Sequence, residues 1–272
     1  MHSIQSAKPK EALLPFVRQY AQREAYIPQV ITVEPVPARS EPILEFQFSD
    51  PYEIRHSAGE QMEIAPRSVV VGTQTWGRVQ LLLRGQIDTF VVVFQPLGFF
   101  RFLGFNGKEL VNRAAEAGTV IGNEIVEVWE KLAECGSFAN RITVIEEFLC
   151  RRLRVTEPTD VISYTASRIL QAEGQVRIRD LAYQSGLSIR QMERKFLSQV
   201  GVSPKTYARI ARFGGALRMK AKVPTESWAN VAAQLGYHDQ MHMVHDFQEL
   251  SGDSPSKSLA GVEMVYRAQL AP

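Results

Sequence analysis

Three of the five histidines in this 272-residue chain fall within LGYHDQMHMVHDF at 235–247, with two aspartates among them. The spacing of His238, His242 and His245, H-x3-H-x2-H, brings imidazoles near one edge of a helix. Imidazole and carboxylate together are a zinc ligand set. The same stretch argues against a metal centre. His238 precedes Asp239, which stands where a helix cap belongs, so the three rings do not share a helical face. A zinc site also needs a fourth ligand and outer hydrogen-bond partners, and no neighbouring residue is placed to supply them. The expectation is no metal and no cofactor. Cys135 and Cys150 offer a second candidate chemistry. Both lie in segments of helical apolar period, and only Arg151 and Arg152 beside Cys150 would favour a thiolate. They read as two reduced core thiols. No Gly-rich phosphate loop occurs, and the front half, whose only histidines are His2 and His56, holds no nucleophile–base pairing.

The elements that position the histidines belong to a repeat. DLAYQSGLS (180–188) aligns with NVAAQLGYHD (230–239), and RQMERKFLSQVGVSP (190–204) with MHMVHDFQELSGDSP (241–255). The offset is 50 before the turn and 51 after it, as in Gly186/Gly236 and then Met192/Met243, Phe196/Phe247, Gly201/Gly252 and Pro204/Pro255. A pattern that keeps its apolar and glycine positions across one inserted residue is one supersecondary unit used twice. Each copy reads as helix, turn, helix. The first helix carries Ile178, Leu181 and Ala182 in one copy, and Trp228, Val231 and Ala232 in the other. Gly186 and Gly236 stand where the chain must turn with positive φ. Ser188 and Asp239 then occupy N-cap places, and Ser188 with Gln191 forms a capping box. Met192 with Phe196, and Met243 with Phe247, are inward-facing i,i+4 pairs. Arg190, Glu193 and Arg194 in copy one, and Met241, Val244 and His245 in copy two, therefore face outward. TYARIARFGGALRMKAK (206–222) reads as a long amphipathic helix between the copies.

The front of the chain follows another pattern. From Val30 to Phe94 the runs ILEFQFSD (43–50), VVVG (69–72), VQLLLRG (79–85) and IDTFVVVF (87–94) read as short strands. Arg84-Gly85-Gln86 reads as a hairpin turn. A short helix is expected from Phe99, and longer ones over 122–134 and 138–153. The aromatics Phe90, Phe94, Phe99, Phe100, Phe102 and Phe105 read as core, with a pocket lining as the alternative. VTEPTD (155–160) is polar and marks a boundary. Two domains follow, 1–156 and 157–272. The fold class is α+β: a β-rich, barrel-like N-terminal domain ending in a helical pair, then an all-α domain of two helix-turn-helix units joined by a linker helix.

Composition agrees with this division. The chain is 45% hydrophobic and 22% charged, an ordinary globular balance. No apolar run approaches the roughly 20 residues that span a membrane, and the N-terminus lacks the apolar core of a secretory signal. The expectation is a cytoplasmic protein without a membrane partner. Residues 1–157 carry 17 Lys/Arg against 19 Asp/Glu, and residues 158–272 carry 14 against 10. A basic back half is compatible with binding nucleic acid.

The pattern LS-x-R-x-M-x-R-x-F-x4-G-x-SP-x2-Y at 187–207, followed by GY-x-DQ-x-H-x3-DF-x4-G-x-SPS at 236–256, resembles the DNA-binding domain of AraC/XylS-type transcription regulators. VVVGTQT with VVVFQPLGFFRFLGFNGKEL is similar to the N-terminal domain of a subgroup of them, and no ligand residue carries across. The resemblance implies two helix-turn-helix units reading adjacent major-groove segments. Arg190, Glu193 and Arg194 are then the base-contacting residues of copy one, and Gln240, Met241 and His245 those of copy two. Lys195, Lys205 and Arg209 are the phosphate contacts, with Arg212 and Lys257 beside them. Family members often carry arginine where His245 stands and tyrosine where Ser258 stands, so copy one is expected to dominate discrimination. The partners implied are double-stranded DNA, RNA polymerase, a small effector of unknown identity and a second copy of the chain. No catalysis is expected; the alternative is a metal- or thiol-dependent enzyme fused to a DNA-binding module.

Overall fold

The structure, a computed structural model, describes residues 2–56, 62–77, 79–96, 98–104, 107–153 and 161–262. Eight strands form one antiparallel sheet: β1 (His2–Ala7), β2 (Val17–Val36), β3 (Ile43–Gln47), β4 (Glu53–His56), β5 (Met62–Ile64), β6 (Ser68–Val71), β7 (Val79–Phe94) and β8 (Ala114–Glu116). The order is β1-β2-β7-β3-β6-β8, with β4 on the free half of β7 and β5 beyond it. Four helices complete this part: α1 (Gly98–Leu103), α2 (Ala117–Ile121), α3 (Glu124–Ala133) and α4 (Phe138–Arg152). The expected short helix from Phe99 and the two longer helices are present within a few residues. The expected boundary at VTEPTD lies outside the described residues.

The hairpin expected at Arg84-Gly85-Gln86 does not form. Residues 79–94 are one strand, paired with β2 from Val79↔Val36 to Phe94↔Val17. Gly85 adopts φ +73°, and a Cβ there would lie 2.5 Å from the Asp50 carboxylate, which accepts from the Gln86 amide at 3.2 Å. The glycine bends a continuous strand; it does not reverse the chain. The partner strand slips register nearby, between Ile27 and Thr32. On the far side of the bend β7 changes neighbours, from β4 to β3.

Side chains alternate across a strand, so the sheet has two interiors. Tyr20, Leu44, Phe46, Val70, Phe90, Val92 and Phe94 face one way and meet Ile125, Val128, Leu132, Ile145, Phe148 and Leu149 of α3 and α4. Burying each such side chain contributes about 1.5–3 kcal/mol. Phe90, Phe94, Phe99 and Phe102 all belong to this core; Phe105 lies outside the described residues, and the side chain of Phe100 is not described. Arg141 pins α4 to the sheet: 5% exposed, it donates to both Asp88 oxygens at 2.6 and 2.8 Å and to Gln22 Oε1 at 3.0 Å. The other face of the same strands surrounds a cavity.

The second part is helical: α5 (Val161–Gln171), α6 (Ile178–Gln184), α7 (Ile189–Val200), α8 (Pro204–Lys222), α9 (Trp228–Gln234), α10 (Gln240–Ser251) and α11 (Pro255–Val262). α5, α6, α7 and the start of α8 bury one cluster around Met192, Phe196 and Tyr207. The rest of α8 with α9 and α10 buries a second around Phe213, Met243 and Phe247. α8 is thus the shared wall of both clusters. Among the described residues no helix is long and apolar enough to cross a membrane.

Candidate functional site

Copy one is built by local rules. Leu187 N–H returns to the Ala182 carbonyl at 2.9 Å across Gly186, at φ +63°. Ser188 then caps α7 with a complete capping box: the Gln191 amide donates to Ser188 Oγ at 3.3 Å, and the Ser188 amide to Gln191 Oε1 at 2.9 Å. With Met192, Phe196 and Val200 buried, the opposite face is set. Arg190, Glu193, Arg194 and Lys195 are all exposed on it. Among the described residues, none of the three cations has an ion-pair partner.

Copy two repeats the frame with different chemistry. Asp239 caps α10 by accepting from the His242 amide at 2.7 Å, and its second oxygen lies 3.1 Å from His238 Nδ1. That amide bond, with His238 beside it, holds the Asp239 carboxyl below the usual carboxylate range. The His242 ring stands edge-on to Tyr237 at 5.7 Å. His245 faces outward, its Nε2 at 3.6 Å from Glu249 Oε1. The three histidines therefore serve a turn, a helix start and an outer face. Among the described residues no three His, Cys, Asp or Glu side chains gather as metal ligands. Gln240 and Met241 are exposed, Met241 by 71%, and Val244 is half-buried. Ser258 is buried and shares hydrogen bonds with Ser251 Oγ at 2.6 Å and the Ser254 carbonyl at 2.9 Å.

The cations expected at phosphates divide into two kinds. Lys205 is exposed in the first turn of α8, behind the Ser203 cap, and is free of ion pairs among the described residues. Arg209 is engaged. Its Nε donates to Asp246 at 2.5 Å and its Nη2 to Glu249, which ties α8 to α10. Arg212 Nη2 donates to the Gly174 carbonyl at 3.1 Å, and its guanidinium lies over the Tyr237 ring.

The N-terminal domain touches the same helix ends in both copies. Gly201 and Gly252, at equivalent places in the repeat, end α7 and α10 with φ +91° and +82°. Gly107 packs on the first: a Cβ at 107 would lie 2.5 Å from the Gln199 carbonyl oxygen. Gly77 packs on the second: a Cβ there would lie 2.6 Å from Ser251 Cα. The Ala38 amide also donates to the Leu250 carbonyl at 2.7 Å. Three residues on, Glu41 pairs with Arg18. Burial alone would raise this carboxyl, but Arg18, the Ser40 hydroxyl and Arg218 hold it below the usual range.

Within the N-terminal part lies a cavity of about 350 Å³. Its walls are the sheet's second face, with Val69, Val71, Leu81, Ile87 and Val91 among them. Arg39, Glu45, Gln74 and Asn112 supply polar atoms. Phe90, Phe94, Phe99 and Phe102 take no part; the cavity uses the intervening residues of the same strands. Sequence reasoning did not find it. Arg39 sits in PVPARS, which has no periodicity to follow, and the only signal was Glu45 and Thr89 interrupting apolar runs on one face.

A family model described as a helix-turn-helix domain matches residues 181–260. No curated protein matches the chain by sequence. Solved structures of ToxT from Vibrio cholerae share the fold of the whole chain. One covers 95% of this chain and 98% of its own at 11% identity and a TM-score of 0.52. A second, bound to an unsaturated fatty acid, covers 88% and 94% at 10% identity and 0.53. A third, bound to (E)-4-(8-methylnaphthalen-1-yl)but-3-enoic acid, covers 96% and 99% at 12% identity and 0.53. At these identities the likeness is one of fold. The matched domain, with its two capped helix-turn-helix units on one linker helix, defines a DNA-binding protein. The domain is of the AraC type, and the chain that carries it is a DNA-binding transcription regulator.

Proposed function

We propose that the regulator reads two adjacent major-groove segments, with α7 as the dominant reader. The observation that carries this is the exposed pair Arg190 and Arg194, one turn apart, without ion-pair partners among the described residues, on a helix whose other face is core. Arginine bonds bidentately to guanine O6 and N7, and Glu193 accepts from a cytosine amino group or orients the arginines. On α10 the readers are Gln240, Met241 and His245, and none of them is a permanent cation. Lys195 and Lys205 hold phosphates, which position without specifying. α8 has 19 residues and so spans about 28 Å, comparable with the roughly 34 Å between successive major grooves on one face of DNA.

The division of labour is residues 157–272 for DNA and 1–156 for regulation, with no catalytic step. In support, burial raises the Cys135 thiol, which weakens it as a nucleophile. The cavity is the seat of a small effector; its volume lies within the range of small-molecule sites. Its wall runs directly into the segment Ala38–Glu41 that bonds the end of α10, so an occupant bears on the orientation of the second unit. RNA polymerase is the further partner that transcription control requires. The test is a DNA-binding titration on a selected operator. Arg194→Ala costs about 1–3 kcal/mol, or 5- to 150-fold, and flattens preference at one base, while His245→Ala costs less. Equal losses for the two variants would remove the asymmetry on which this reading rests.

A further inference from the structure

Five buried side-chain atoms lack a hydrogen-bond partner among the described residues: Arg39 Nε, Gln199 Oε1, Tyr207 Oη, Arg212 Nε and Tyr237 Oη. Only the first belongs to a residue of the cavity wall. Arg39 is 8% exposed, and no carboxylate among the described residues lies within ion-pair distance of its guanidinium. An unpaired buried charge is costly to keep, so a folded chain normally gives it a partner. The other cavity charges are paired, hydrogen-bonded or in contact with solvent. Arg23 is held bidentately by Glu34 at 3.0 and 2.8 Å. Glu63 at the rim lies 3.9 Å from His56, and Arg113 is exposed. Glu45, a carboxyl within the field of Arg39 but outside ion-pair distance, accepts from Tyr52 Oη at 2.7 Å, and burial raises its carboxyl against the pull of Tyr52, Arg39 and Arg23, which weakens it as an anion.

We propose that the cavity takes a small apolar molecule bearing one carboxylate, and that Arg39 is the residue that recognises the carboxylate. This rests on the reading of the cavity as an effector site and adds its chemical class. A guanidinium presents a planar fork that matches a carboxylate with two parallel hydrogen bonds. Gln74 stands beside it, both hydrogens of its amide nitrogen committed, to the Gly72 carbonyl at 3.2 Å and the Arg113 carbonyl at 3.5 Å, so the free donors at this corner are those of Arg39. The remaining wall is dominated by Val and Leu side chains and Ile87, which suit a hydrocarbon body. At about 30 Å³ per water-sized group, the cavity's 350 Å³ holds roughly a dozen heavy atoms. Backbone geometry keeps Arg39 in place without its side chain, since Arg39 and Gln74 exchange both backbone hydrogen bonds at 2.9 Å.

The experiment is calorimetric titration of the full chain with decanoate and 2-naphthoate, each against its alcohol, 1-decanol and 2-naphthalenemethanol. At least one acid should bind tenfold or more tightly than its alcohol, and Arg39→Met should abolish that preference while circular dichroism shows the fold retained. Arg39→Lys keeps the charge but not the fork and should retain part of the preference. Val91→Phe, which fills space from the apolar wall, should weaken acid and alcohol alike. Equal binding of acid and alcohol, or a preference that survives Arg39→Met, overturns the carboxylate assignment and leaves the effector site standing. No binding by any of the four compounds overturns both.

Discussion

Arg209 separates two uses of one arginine, a phosphate contact or a structural joint, and Arg209→Met distinguishes them. In the structure its guanidinium links α8 to Asp246 and Glu249 of α10. The Asp246 side chain is 4% exposed, Glu249 is half exposed and Arg209 is one-third exposed. Removing one partner of a fully buried pair costs about 3–5 kcal/mol because a charge is left buried. The exposed share of Arg209 is screened, and the exposed Glu249 arm contributes little, so the expected loss is about 2–3 kcal/mol. For a chain of this size that lowers the unfolding midpoint by roughly 4–12 °C. A double-mutant cycle with Asp246→Asn should show coupling of 0.5 kcal/mol or more, as contacting residues do. Affinity for an operator should also fall, because α10 loses its anchor. The slope of log K against log salt should stay unchanged, since no phosphate contact is lost. A phosphate-binding Arg209 gives the reverse: no change in stability and a slope smaller by about 0.9. That pair of results would refute the assignment as a joint.

Two further perturbations test how the N-terminal domain is held. Arg141→Met removes the bidentate partner of Asp88 and the anchor of α4; with Asp88 19% exposed the loss should be about 2–4 kcal/mol, read as a lower urea midpoint at unchanged slope, and a loss under 0.5 kcal/mol would contradict it. Glu41 has a folded pKa held below the ordinary carboxylate range, so its contribution is present above its unfolded value, about 4.3, and is lost as pH falls through the folded value. Glu41→Gln should therefore be less stable than the parent at pH 7, with the gap closing below about pH 4. A gap that does not narrow at all between pH 5 and pH 3 would show that ionisation of Glu41 is not what stabilises the contact.

The helix-turn-helix half was legible residue by residue because its determinants are local. The capping box at Ser188, the cap at Asp239, the positive-φ glycines and the i,i+4 pairs act within one or two turns. The repeat then allowed each copy to check the other. The front half was legible in its helices and in strands that alternate or are rich in β-branched residues, as at 43–47 and 68–71. β2 was missed over most of its length: VRQYAQREAYIPQVITVEPV has charges, alanines and two prolines, and it is a strand because β1 and β7 pair along it. Gly85 was misread for the same reason. A glycine between apolar runs marks a turn or a bend, and only the strands on either side decide which.

The sequence by itself therefore determined the repeat, its caps, its buried faces and the residues left facing outward, since each depends on neighbours a few positions away. The tertiary structure alone decided that Arg209 has carboxylates to hold, that α7 and α10 both end against the N-terminal domain, and that Arg39 stands at a cavity with no ion-pair partner among the described residues. Those facts depend on groups tens to hundreds of residues apart, as with Arg209 and Asp246 or Ala38 and Leu250. No periodicity in the chain encodes which distant group arrives at a given side chain; only folding brings Arg23, Asp88 and Arg209 to the buried Glu34, Arg141 and Asp246.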